Sequence, residues 1–203
     1  MIINNFKKNI LAIIFLMITA LFINGCQSHY TPKPRGYFRI TLPKHEYKLF
    51  DTVFPYTFEY PKYVKITPDP YSPNEKYWIN MDYPQFHATI HISYKVVHNN
   101  LIKYLKDARK MVVKHIPKAN AINDSLIINP AHNIYGMVYD IEGNGVASPY
   151  QFIITDSSKN FLRGSLYFNL PPNNDSLSPV IEFIKEDIRH FLKTFSWKKM
   201  PEK

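Results

Sequence analysis

His87-Ala88-Thr89-Ile90-His91-Ile92-Ser93-Tyr94-Lys95-Val96 leads, through Asn99-Asn100, into Leu101-Ile102-Lys103-Tyr104-Leu105-Lys106-Asp107-Ala108-Arg109-Lys110-Met111-Val112-Val113. Two periodicities meet here. Ala88, Ile90, Ile92 and Tyr94 alternate with His87, Thr89, His91 and Ser93, the period of a strand with one buried face. After Asn99 or Asn100, either of which suits a helix cap, Leu101, Leu105, Ala108, Val112 and Ile116 recur at helical spacing, flanked by Ile102 and Val113. Lys103, Lys106, Arg109 and Lys110 make the wet face, and Pro117 stops the run. The spacing predicts a strand over Ala88–Val96 and a helix over Leu101–His115.

Strand patterns extend in both directions. Upstream they cover Tyr37–Leu42, then Phe54–Tyr60, where Phe54, Tyr56, Phe58 and Tyr60 give a period-two aromatic face. Tyr63–Thr67 and Tyr77–Tyr83 follow, separated by the proline-rich loop Pro68–Pro73. Downstream come Ser125–Ile128, Ile134–Ile141, Tyr150–Thr155 and Phe161–Phe168. The turn chemistry of Glu142-Gly143-Asn144-Gly145 and Asp156–Asn160 makes the last three an antiparallel meander. Ser178 as cap and Pro179 as first helical residue predict a closing helix over Val180–Phe195, with Ile181, Ile184, Ile188, Phe191, Leu192 and Phe195 as its apolar stripe. Strands, helix, strands, helix is an α+β order: a mostly antiparallel sheet with two main amphipathic helices. The pattern resembles the α/β/α sandwich of the Mog1/PsbP type.

The first residues address the chain. Lys7 and Lys8 precede an uncharged apolar run, Ile10–Ile23, which has the length of a signal-peptide core and falls short of the roughly 20 residues of a spanning helix. Ile23-Asn24-Gly25-Cys26 then has the form of a bacterial lipobox, with a branched aliphatic residue three before the cysteine and a small one directly before it. Cys26 is the single cysteine of the chain, so no intrachain disulfide competes for its thiol. The expectation is a lipoprotein acylated at Cys26, with palmitate-type chains holding it to a membrane; an uncleaved anchor and an ordinary cleaved signal are the competing readings. Gln27, with no acidic run after it, favours a periplasm-facing envelope protein; inner and outer membrane stay open. The expected organisation is a signal peptide over 1–25, a lipidated tether over 26–36, one α+β domain over 37–197 and a tail over 198–203.

The formal charge is +9, but the lysines are scattered, and an exported protein meets no chromosome, so nucleic acid is not an expected partner. Catalytic signatures are missing from the sequence: no His-Glu-x-x-His, paired cysteines, EF-hand loop, Gly-x-Ser-x-Gly elbow or phosphate loop occurs. Gly143-Asn144-Gly145 precedes a strand where a nucleotide cradle needs a helix. His87 and His91 share a predicted strand face, but at roughly 3.3 Å per residue they stand about 13 Å apart, too far for one metal ion. Glu186-Asp187 is placed on the exposed side of the closing helix. No catalytic residue, metal or cofactor is expected.

The lipobox Cys26, the lead-in Pro32-Lys33-Pro34-Arg35-Gly36-Tyr37-Phe38-Arg39-Ile40, Tyr83-Pro84 with the histidine-bearing strand, and Asp187–Trp197 together resemble the GldD gliding-motility lipoproteins of Bacteroidota. That resemblance implies a membrane-tethered lipoprotein required for gliding and linked to type IX secretion of surface adhesins. It carries over no catalytic residue, only Cys26 as the lipidated one. Arg35, Gly36, Tyr37 and Arg39, with the Pro68–Pro73 loop, are the candidate contacts for gliding and secretion partners. The alternative is a module binding an envelope lipid or glycan on the aromatic face of Tyr56, Tyr60 and Trp78; an envelope hydrolase is a third reading.

Overall fold

A computed structural model describes residues 40–199 of the chain. The alternating segment is strand β5, Ala88–Val96, and it lies inside a seven-stranded antiparallel sheet of order β3-β4-β5-β9-β8-β7-β6. Its neighbours are β4 (Ile79–Tyr83) and β9 (Asn160–Phe168), followed outward by β8 (Tyr150–Thr155), β7 (Ile134–Glu142) and β6 (Ala121–Asn129); β3 (Lys65–Pro68) closes the other edge. Ala88, Ile90, Ile92 and Tyr94 are buried on one face, as their alternation requires. β8 is buried along its whole length because both of its faces are covered.

One cover is helix α1, Leu101–Val113. Its Ala108, Leu101, Tyr104 and Leu105 pack on Ile153 and Phe161, and Val112 packs with Tyr139, Ile141 and Val146. The other cover is helix α2, Asn174–Thr194, together with a three-stranded sheet of order β1-β2-β10, formed by Tyr47–Phe50, Tyr56–Pro61 and Ser196–Trp197. The layers are helix, sheet, then helix with small sheet, which is the expected α+β sandwich. The main core lies between the large sheet and α2: Phe191 rests 4.5 Å from Phe58 and 5.4 Å from Phe152, ring centroid to centroid. Aromatic pairs at such distances add about 0.5–1.5 kcal/mol each beyond the area they bury.

Three expectations change. The first strand is Tyr47–Phe50; of the expected Tyr37–Leu42, residues 37–39 lie outside the described residues and Ile40–Leu42 is irregular. Strand formation waits until Tyr47–Phe50 can pair with Phe58–Pro61, a long-range partnership that local pattern does not reveal. Helix α2 begins at Asn174, before the expected Ser178 cap. The Asn174 amide donates to the carbonyls of Gly143 and Val146, both at 2.9 Å, so the β7–β8 connection supplies the start signal. Pro179 then falls in the second turn, where its missing N–H removes a single bond near the helix end. His87, third, is not in the strand: it takes a left-handed conformation, φ 49°, after the turn Pro84–Phe86, and so shares no strand face with His91.

Gly164 shows how tightly the sheet is packed. A Cβ there would meet the Phe152 ring at 2.2 Å. Gly164→Ala is therefore expected to lower stability by about 1–3 kcal/mol through overpacking, read as a drop in the urea midpoint at unchanged slope.

Candidate functional site

Three features of the described surface combine polarity with shape. The first is a clasp. Asp187 projects from α2 toward β1 and the segment before it, and its side chain is fully buried. His45 Nδ1 lies 2.8 Å from Oδ1, Tyr47 Oη donates to Oδ1 at 3.1 Å, and Tyr63 Oη donates to Oδ2 at 2.7 Å. His45 Nε2 reaches Glu186 at 3.0 Å, and its ring lies 4.2 Å from that of Phe183. Tyr47 stacks on His190 at 3.5 Å, and His190 Nε2 meets Glu59 at 2.7 Å. Glu186 is exposed as expected, but Asp187 is not, because it shares a helical face with Ile184 and Phe191. Burial pushes its carboxyl above the usual carboxylate range, against the hydrogen bonds of Tyr63 and His45, which pull it down. Burial and the Asp187 charge raise the Tyr47 hydroxyl, and burial with the Asp187 hydrogen bond raises that of Tyr63, so both stay donors. The group joins the segment before β1, β2 and α2; its hydroxyls are held as donors and offer no activated nucleophile.

The second feature is a groove of about 370 Å³ on the outer face of the large sheet, beside α1. Asn80, His91, Lys95 and Arg163 come from the sheet, Trp78 from the residue just before β4, Tyr104 and Met111 from the helix, and Asp69 and Tyr71 from the proline-rich loop. The His91 ring, half-buried, lies with Nδ1 2.8 Å from Asn80 Oδ1, and burial holds it below the usual histidine range. The third feature is a cleft of about 920 Å³ lined by Tyr77, Tyr94, Asn133, Asn160 and Trp197 among others. Its polar rim is already engaged: Tyr94 Oη donates to Asn160 Oδ1 at 2.5 Å and Trp197 Nε1 donates to the Asn133 carbonyl at 3.1 Å.

Cys26, Arg35, Gly36, Tyr37 and Arg39 lie outside the described residues. The Pro68–Pro73 loop is at the rim of the groove, with Tyr71 89% exposed. The aromatic trio does not form one surface. Tyr56 is fully buried and donates to the Tyr77 carbonyl at 2.6 Å; Tyr60 packs against the core of the small sheet under Lys48; Trp78 belongs to the groove, and its Nε1 donates to the Tyr94 carbonyl at 2.7 Å. The aromatic alternation signalled a core, and the residues lining the groove come from five segments that only the tertiary fold brings together.

Asp187→Asn keeps the shape of the clasp but weakens its acceptors, with an expected cost of about 1–3 kcal/mol. The sign of its pH dependence follows from the raised carboxyl: the folded chain holds that proton more tightly than the unfolded chain. Its contribution is complete below the unfolded value and is lost as pH rises through the folded one. The stability gap between wild type and Asp187→Asn, measured by thermal unfolding, should therefore be widest below about pH 4 and narrow as pH rises.

No curated protein matches the chain. Among solved structures, the solution structure of cyanobacterial PsbP (CyanoP) from Synechocystis sp. PCC 6803 is similar at a TM-score of 0.45 and 9% identity, covering 79% of this chain and 97% of that one. The model of the family described as gliding motility lipoprotein GldD matches residues 27–197. With the match running from the residue after the lipobox cysteine to the last strand of the small sheet, the chain belongs to the GldD family of gliding motility lipoproteins.

Proposed function

We propose that this lipoprotein is held by acyl chains on Cys26 at the periplasmic side of the envelope and acts there as a non-enzymatic assembly factor for gliding, associated with type IX secretion of surface adhesins. Family membership over residues 27–197 is the observation that carries the gliding role. The sequence around Cys26 supports the tether. Among the described residues no helix is long and apolar enough to cross a membrane.

An assembly factor needs a docking surface, and the sheet offers one. β6 is an edge strand of nine residues, paired on one side by β7. Leu126 and Ile128 on it are 71% and 65% exposed, with Tyr135 beside Ile128 across the pair. A long edge with apolar side chains and free backbone groups is a template for an added strand, and natural proteins ordinarily protect such edges. Confinement to a membrane surface raises the effective concentration of this edge near envelope partners, so that a modest affinity suffices. A second reading, binding of an envelope glycan, is favoured by the cleft of about 920 Å³ that the rings of Tyr77 and Trp197 line.

Leu126→Lys with Ile128→Lys should leave stability within about 0.5 kcal/mol, because both side chains are at the surface. The variant is expected to stay in the membrane fraction yet abolish gliding and reduce adhesin secretion in complemented cells. Unimpaired gliding with this variant would contradict docking through β6. Cys26→Ser should release the chain from membranes and also stop gliding; full activity without lipid would sink the tether.

A further inference from the structure

The groove beside α1 has a charge that the protein leaves unanswered. Strand register sets Asn80, His91, Ser165 and Gln151 in one row across β4, β5, β9 and β8, with Arg163 one pleat along, opposite Ser93 and Ile153. Arg163 Nη2 donates to Gln151 Oε1 at 2.7 Å and the guanidinium also hydrogen-bonds the neutral Tyr167 side chain, while the buried Gln151 amide Nε2 is left without a partner. The buried Ser165 Oγ also lacks one. Asn80 has its oxygen taken up by His91 Nδ1. What remains in and under the groove is a set of donors.

Among the described residues no carboxylate comes within ion-pair distance of the Arg163 guanidinium. Lys95, the other cation at the groove, already pairs with Glu75 and lies over the Trp78 ring. Asp69 and Asp107 line the groove without an ion pair to Arg163, and the charges of Asp69 and Asp82 act on His91 against the effect of its burial. Burial draws the Arg163 guanidinium below its usual range, and it holds His91 and His115 below theirs, His115 with help from the Arg163 charge. The centre of the site is thus one desolvated cation beside the His91 imidazole, whose charged form burial disfavours. Such a cation is unfavourable without a counter-charge, and a guanidinium is shaped for a bidentate oxyanion. The walls around it, Trp78, Tyr104, Ala108, Met111 and Phe161, are apolar. The volume falls near the lower end for small-molecule sites.

We propose that this groove binds a small organic anion, with its carboxylate or phosphate group on Arg163 and its apolar body among Trp78, Tyr104 and Met111. Asn80 and His91 flank the anionic group, and Tyr71 on the proline-rich loop stands at the mouth. The inference does not depend on docking through β6, which is on the far edge of the same sheet.

The test uses the full-length lipidated protein in a non-ionic detergent, titrated with benzoate, phenyl phosphate and uncharged benzyl alcohol. Tryptophan fluorescence and the thermal midpoint are the readouts. At least one of the two anions should give a saturable change that weakens with added sodium chloride, while benzyl alcohol gives none; which anion saturates tells carboxylate from phosphate. Arg163→Gln should weaken binding by about tenfold or more, and Arg163→Lys should recover part of it. Met111→Glu, which adds a negative charge at an exposed position of the rim, should weaken binding without loss of fold and decides the matter if Arg163→Gln does not fold. Absence of saturation with both anions, an equal response to benzyl alcohol, or undiminished binding by folded Arg163→Gln or by Met111→Glu would overturn the proposal.

Discussion

The contact on which the architecture depends is the wedge of aromatic rings that α2 drives between two sheets. Phe191 touches Phe58 of the small sheet and Phe152 of the large one, and Phe195 continues the stack to Tyr56 and Trp197. Neither sheet buries its inner face without this helix. Once the helix is seated, the chain turns directly into β10 and pairs with β2, so the same element closes the small sheet. The Asp187 clasp then fastens His45, Tyr47 and Tyr63 to the helix one turn before Phe191. Apolar burial supplies most of the attraction, while the clasp specifies how the strands meet the helix.

This arrangement makes the two faces of the large sheet unlike each other. The inner face is apolar from β4 to β8, and at β7 it carries Asp140, which pairs with Lys185 of α2 at 2.7 Å. On the outer face α1 covers the half formed by β7, β8 and the start of β9, where Ile153, Phe161 and Tyr139 are apolar. Next to it the face becomes polar, and there the groove opens around Arg163. The free edge at β6 follows from the same order of strands, since β6 is the last to be added and nothing among the described residues pairs with its outer side. Polar groove and bare edge are thus what the sandwich leaves uncovered.

Much of the fold was legible because its signals are local. β5 coincides with its alternating stretch and β8 with the strand expected at Tyr150–Thr155, and the apolar stripe of α2 is the buried one. What was not legible depends on distant partners. β1 and β10 exist through pairing with β2, and α2 starts early because Asn174 finds carbonyls in the β7–β8 connection. Asp187 did carry a readable signal: it stands three residues after Ile184 and four before Phe191, on the buried face. Its charge spoke for exposure, and burial was decided by donors from His45, Tyr47 and Tyr63, far away in sequence. Arg163 fits the outward positions of β9, yet only strand register shows it beside His91 and Gln151. The lead-in Pro32–Ile40 and Cys26 were conspicuous in sequence and, apart from Ile40, lie outside the described residues, so their contribution rests on chemistry alone.

A lipid-held domain with a bare strand edge is suited to gathering other envelope components, which fits a gliding lipoprotein. The most direct measurement is photo-crosslinking in living cells from a reactive residue placed at Leu126, compared with one at Lys103 on the solvent face of α1. Adducts to a discrete envelope protein from position 126, with none from position 103, are the result expected. No adduct from position 126, or the same adducts from both positions, would contradict assembly through the β6 edge.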